Sequence, residues 1–194
     1  MKRLKNPWLG IHGYNCFGCA PSNENGVQMR FYEEGNEIIS IWRPKAQFQG
    51  WINTLHGGIQ SVLLDEICAW AVIRKTGKSG VTSRMETRFR KGISTLDKYL
   101  IIKAEVISQR RNLVEIKARI FNEAGELCSE ATCQYFTFTQ EQAPGMYANP
   151  CEAEGVDITL DQAISEALGE DIERKQAISE ALGEEDGSVK EKNK

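Results

Sequence analysis

The stretch LHGGIQSVLLDEICAWAVI, residues 55–73, decides how the chain is read. Between Ile59 and Ile73 only Gln60, Ser61, Asp65 and Glu66 carry polar side chains, and a helix so nearly apolar on every side belongs inside a domain. The helix is expected from about His56 to Lys75, before Gly77 and Gly80 break it. Gly57 and Gly58 open it, so its first backbone N–H groups stand unobstructed at the positive end of the helix dipole. Amides placed in this way polarise a carbonyl oxygen, which is an oxyanion hole in outline.

Asp65 lies nine residues after His56, about 13 Å further along the axis at roughly 1.5 Å per residue. It therefore cannot serve the N-terminus of its own helix. Two copies packed antiparallel would bring Asp65 of one to the Gly57-Gly58 amides of the other, in two equivalent sites across a two-fold axis. The neighbours of Asp65 on that face, Gly58, Ser61, Cys68 and Ala69, are small enough to permit the approach. Glu66 projects about 100° away, towards Val62, Leu63 and Trp70, and reads as a structural or interface carboxylate.

Outward from the helix the pattern turns to strands. Residues 27–31 alternate and, with residues 37–42 across Glu34-Gly35-Asn36, predict a hairpin. Residues 81–89, 99–108, 113–121 and 127–138 are strand-like, with Asn122-Glu123-Ala124-Gly125 a hairpin turn between the last two. The expected fold class is α+β, a long central helix wrapped by a curved antiparallel sheet of about six strands. Three segments follow: an irregular lead-in over 1–26 packed on the domain, the domain proper over 27–143, and an acidic tail over 144–194. Within the tail QAISEALGE occurs at 162–170 and again at 176–184, an offset of 14 that places Ile164 and Ile178 at one helical position. Thr159 and Gln162 have the spacing of a capping box. The tail's readings are a mobile, partly helical segment, a helix packed on its own domain, and a partner-binding coiled coil.

The net charge of −3 conceals an asymmetry, because 11 acidic and 5 basic residues fall from Asp157 onward, against 16 and 19 before it. A mildly basic core suits a small anionic ligand and is far short of a nucleic-acid footprint. The 59–73 run is interrupted by Asp65-Glu66 and falls short of the roughly 18 apolar residues needed to span a bilayer, and no apolar segment follows Lys2-Arg3 as in a signal peptide, so a cytoplasmic protein without membrane or nucleic-acid partners is expected. Cys16-Phe17-Gly18-Cys19 has zinc or redox spacing, but no second Cys or His pair supplies the remaining ligands of a zinc site. A tight turn with reduced thiols is the reading preferred, with no metal and no cofactor.

LHGGIQSVLLDE, together with NCFGCAPSNENGVQMRF at 15–31 and FQGW at 48–51, resembles the hotdog-fold acyl-CoA thioesterases of the 4HBT superfamily, in its phenylacetate-type, PaaI-like branch. The resemblance covers roughly residues 14–139. It implies hydrolysis of a medium-chain or aryl acyl-CoA by a homodimer or dimer of dimers, without a cofactor. Gly57 N–H, with Gly58 in reserve, polarises the thioester carbonyl, and Asp65 of the partner subunit acts as general base or nucleophile. His56 orients the loop, and Thr82 holds the attacking water, although strict alternation with Met85 and Phe89 turns Thr82 away from the helix unless a bulge intervenes. Where relatives carry an Asn six residues before the histidine this chain has Gly50, leaving Asn53 as a substitute or no amide at all. Arg88, Arg90 and Lys91 are the basic cluster nearest the expected CoA phosphates, and Phe48, Trp51 and Trp70 are candidates for an acyl pocket. A non-catalytic acyl-CoA-binding protein and a hydroxyacyl-thioester dehydratase are the alternatives on the same fold.

Overall fold

The computed structural model describes residues 1–169. In chain order its elements are β1 (Lys2–Leu4), β2 (Tyr32–Glu34), β3 (Glu37–Trp42), α1 (Gly57–Thr76), β4 (Ser79–Phe89), β5 (Leu100–Arg110), β6 (Leu113–Phe121), β7 (Leu127–Phe138) and β8 (Ala153–Asp157). The strands form one antiparallel sheet in the order β4-β7-β6-β5-β3-β2-β1-β8. Five of them, β3 to β7, lie against α1. This is the α+β arrangement expected, with eight strands in place of about six. The extra strands, β1 and β8, have three and five residues, too few for alternation to announce them.

The start of α1 is set by His56, whose Nδ1 accepts a hydrogen bond from the N–H of Gly58 at 2.8 Å. Its end is set by Gly77, which takes the left-handed φ of 66° that a C-cap needs, while Arg74 and Lys75 lie at the negative end of the dipole. Leu63, Leu64, Ile67, Cys68 and Ala71 are wholly buried against the sheet. One stripe differs from expectation: Gly58 is exposed, and Ser61, Asp65 and Ala69 at helical spacing after it are only half-buried. The sheet covers most of the helix and leaves this line open.

Residues 27–31 do not form the predicted strand. Val27, Met29 and Phe31 are buried as alternation requires, but Gln28 adopts a left-handed φ of 55°, and the backbone bonds instead to the lead-in, Val27 N–H to the Phe17 carbonyl and Met29 N–H to that of Gly18, both at 2.8 Å. The hairpin is therefore the short pair β2–β3. Beyond β8 residues 160–169 are helical, opened by reciprocal bonds between Thr159 and Gln162, and Ala163 is buried against Tyr32, Ile39 and Ile41 on the outer face of the sheet. The second copy of the repeat, at 176–184, lies outside the described residues.

Glu33 of β2 ties the sheet to the end of α1, accepting from Arg74 Nη2 at 2.7 Å and Lys75 Nζ at 2.5 Å. Burial alone would raise its pKa, but the two cations outweigh it and hold the carboxyl below its ordinary value. A carboxyl depressed on folding contributes stability above its unfolded pKa of about 4.3, and that contribution is lost as the pH falls through the folded value. Glu33→Gln is expected to cost about 1 kcal/mol at pH 7, roughly 2–4 °C in Tm for a chain of this size. In thermal melts followed by circular dichroism, the difference between variant and parent should shrink as the pH falls below the ordinary carboxyl range and vanish once Glu33 is protonated in the folded state.

Candidate active site

Asp65 sits in the middle of α1 on the half-buried stripe, and its Oδ1 accepts two hydrogen bonds, from Thr82 Oγ1 at 2.6 Å and from the Tyr135 hydroxyl at 2.8 Å. The Tyr135 hydroxyl also reaches the Asp65 carbonyl at 2.8 Å. Thr82 faces the helix because the pairing of β4 with β7 slips between Thr82 and Arg84. Thr82 pairs with Tyr135 and Arg84 with Gln134, so Ser83 is the extra residue of a bulge and Thr82 shares the inward face with Met85. Tyr135, which the sequence did not single out, is the additional member of the group. Burial, and then the charge of Asp65, push its phenol far above the ordinary range and keep it a donor. Oδ2 of Asp65 has no partner among the described residues.

The first turn of α1 supplies the electropositive half. Of its four orphan amides, Gly58 donates to His56 Nδ1, and Ile59 and Gln60 donate to the His56 carbonyl. Gly57 N–H alone has no partner among the described residues. His56 is thus the N-cap, held by its own N–H on the Phe48 carbonyl at 3.0 Å, and Gly50 gives its ring room, since a Cβ there would lie 3.1 Å from His56 Cδ2. The residue expected as the reserve donor, Gly58, has its amide committed to that cap.

Residues 52–129 match the family model of the thioesterase superfamily, 4HBT. The domain has the hotdog fold. Among solved structures the hotdog resembles a hypothetical thioesterase from Streptococcus pneumoniae bound to coenzyme A (24% identity, 57% of this chain and 85% of that one, TM-score 0.53). It also resembles zebrafish thioesterase superfamily member 2 (20%, 63% and 91%, 0.56) and smu.793 from Streptococcus mutans bound to acetyl-CoA (18%, 66% and 96%, 0.55). At these identities the likeness speaks for the fold alone. No curated protein matches the chain in sequence.

The other expected site residues of the hotdog are placed as follows. Asn53 occupies a left-handed turn, φ 55°, with its N–H on Gln49 Oε1 and its carbonyl accepting from Thr95, and no contact joins its side chain to His56 or Gly57 among the described residues. The basic cluster is committed to carboxylates: Arg88 to Glu86 at 3.5 Å, Arg90 to Glu130, and Lys91 to Glu126 at 2.5 Å. The three aromatic candidates separate. Trp70 is buried and stacks on Phe31, Phe48 is buried beside Trp42, and Trp51 is 82% exposed. Apolar surface near the start of α1 comes instead from Trp51, Ile52 and Phe89, all exposed, the Phe89 ring lying against Gly57. A cavity of about 720 Å³, lined among others by Arg3, Met29, Trp42 and Ala167, shares no residue with the Asp65 group or the start of α1.

Glu66 points the opposite way, into the lead-in. Its carboxylate meets Cys16 and accepts from Trp70 Nε1 at 3.2 Å. Burial raises its pKa to about 7. The Cys19 thiol, then the amides of Cys19 and Gly18, donate to Cys16 and hold that thiol down at about 5.

The geometry makes Tyr135 the stronger of the two supports of Asp65. Tyr135→Phe should cost about 2 kcal/mol in urea denaturation, since it removes a buried donor to a charged acceptor. Thr82→Val, at an exposed position, should cost less than about 1 kcal/mol.

Proposed function

We propose that the chain is an acyl-CoA thioesterase of the PaaI-like branch, working as a homodimer or a dimer of dimers in which each site is shared between two copies. The observation that carries this reading is the division of labour along α1: Asp65 is held from below by Thr82 and Tyr135, while Gly57 N–H is the one amide of the first turn that finds no partner among the described residues. The two are eight residues apart, about 12 Å on one helix, too far to act on one carbonyl. A second copy, with its α1 antiparallel, would bring its Asp65 to this Gly57. Two features support such a pairing. The open stripe beside Asp65 consists of small residues, and β4, at the edge of the sheet, is an 11-residue strand whose outer backbone groups pair with no described residue.

In the proposed reaction Gly57 N–H stabilises the charge that gathers on the thioester oxygen. Asp65 of the partner either takes the proton of the attacking water or adds to the carbonyl itself, and in both cases the thiolate of coenzyme A leaves and the acid is released. Thr82 and Tyr135 occupy Oδ1 and leave Oδ2 for that step. Trp51, Ile52 and Phe89 offer apolar surface for a medium-chain or aryl group. The relatives bound to coenzyme A and acetyl-CoA support the choice of carrier, and those solved as aspartate-to-alanine and threonine-to-alanine variants draw attention to the same residue types. Arg88, Arg90 and Lys91 would have to exchange their glutamates for the nucleotide phosphates to bind them.

Hydrolysis is read as free thiol released from a panel of acyl- and aryl-CoAs. Asp65→Asn is expected to lower kcat/KM by about 10²-fold or more while the dimer's mass is kept; unchanged turnover ends the assignment. Ligand binding without turnover across the panel would make the protein a binding module instead. Gly57→Pro is the cleaner test of the amide. Proline is well tolerated at the first helical position, and His56 already has the extended backbone (φ −60°, ψ 134°) that precedes a proline. The substitution deletes one N–H and little else, and kcat should fall by about 10²–10³ with the fold intact.

A further inference from the structure

Sequence alone offers two cysteines of a metal site; the fold adds a carboxylate. Glu66 comes from the centre of α1, 47 residues beyond Cys19, and the ligating atoms of Cys16, Cys19 and Glu66 all lie within 4.8 Å of one another. With metal–sulfur bonds of about 2.3 Å and metal–oxygen bonds of about 2.0–2.2 Å, a tetrahedral ion holds sulfur and oxygen ligands roughly 3.5–3.7 Å apart. Cys16 Sγ is 3.7 and 3.8 Å from the two Glu66 oxygens, beyond a strong hydrogen bond and close to the edge of that tetrahedron. We propose that Cys16, Cys19 and Glu66 bind a thiophilic divalent cation of the Zn²⁺ type, with the fourth position open to water.

Three observations support the site. Glu66 is a half-buried carboxylate that pairs with no lysine, arginine or histidine among the described residues; its partners are an indole N–H and a thiol. A carboxylate withdrawn from water without a cation is costly, and a metal ion supplies the missing charge. The turn is built around the carboxylate: a Cβ on Gly18 would fall 2.2 Å from Glu66 Oε2 and 2.3 Å from its Cδ, so any other residue there would expel the side chain. The surrounding donors also orient the ligands. Trp70 Nε1 holds Glu66 at 3.2 Å, Gly18 N–H meets Cys16 Sγ at 3.3 Å, and the Tyr14 hydroxyl lies 3.0 Å from Cys19 Sγ. Cys16 is half-buried, which leaves a way in from solvent. On binding, both cysteines enter as thiolates and their protons pass to solvent. The ion would clamp the lead-in to α1 one residue from Asp65. None of this depends on the hydrolytic reading, because Asp65 and Gly57 are not ligands.

The test is a Co²⁺ titration of the full-length, reduced protein, purified without a metal-binding tag. One Co²⁺ per chain is expected, with thiolate-to-cobalt charge transfer in the near ultraviolet, the visible bands of a tetrahedral ion, and displacement by Zn²⁺. Glu66→Gln and Gly18→Ala should each weaken binding about 10-fold or more, and Cys16→Ser with Cys19→Ser should abolish it, whereas Cys151→Ser should leave it unchanged. The titration of the unaltered chain is itself decisive, whatever the variants do to folding. Absence of the charge-transfer band in excess Co²⁺, its survival in the double cysteine variant, or affinity indifferent to Glu66→Gln would each overturn the proposal. Failure of the reduced protein to take metal, combined with ready closure of a Cys16–Cys19 disulfide on oxidation, would also overturn it in favour of a redox pair.

Discussion

A carboxylate in the middle of a packed helix is stable only where neighbouring groups replace the water it has lost. At Asp65 that replacement comes from two hydroxyls on adjacent strands, Thr82 and Tyr135. Much of the surrounding structure follows from this need. β4 must bulge at Ser83 for Thr82 to turn inward, β7 must present Tyr135 opposite it, and α1 must lie with its Asp65 stripe toward this pair while Leu63, Leu64 and Ile67 fill the interior.

The start of the same helix is organised on a complementary principle. Amides in a first turn seek acceptors, and His56 satisfies three of them, one with its ring and two with its carbonyl. The amide left over belongs to Gly57, in a neighbourhood where Gly50 and Phe89 shape the surface. The histidine of the motif therefore acts on the backbone: by capping Gly58 it selects which N–H stays open. That selection gives the proposed oxyanion donor its identity.

The adjacent acids of α1 have divergent surroundings because neighbouring helical positions differ by about 100°. Asp65 meets hydroxyls at the open stripe, whereas Glu66 is turned into the cysteine turn of the lead-in. Far from a loose leader, that segment contributes β1 to the sheet, is bonded to residues 27–29, and seats Gly18 against Glu66. One helix thus carries two chemically distinct carboxylates, and the fold keeps them apart.

The apolar run from Ile59 to Ile73, its glycine start and the hairpin signals behind it were enough to establish the central helix, the strands β3 to β7 and the α+β class. They sufficed because burial periodicity and turn chemistry are local. Asp65, Gly57 and His56 were legible for the same reason, as spacing on one helix. The inward turn of Thr82 was not, since a single extra residue reverses the parity of a strand and only the pairing with β7 shows where it falls. Nor was the support from Tyr135, the glutamates that occupy Arg88, Arg90 and Lys91, or the approach of Glu66 to Cys16 and Cys19. Apart from Arg88 and Glu86, two residues apart on one strand, these contacts join residues tens of positions apart, and no periodicity within either segment encodes which partner chain folding will bring to it.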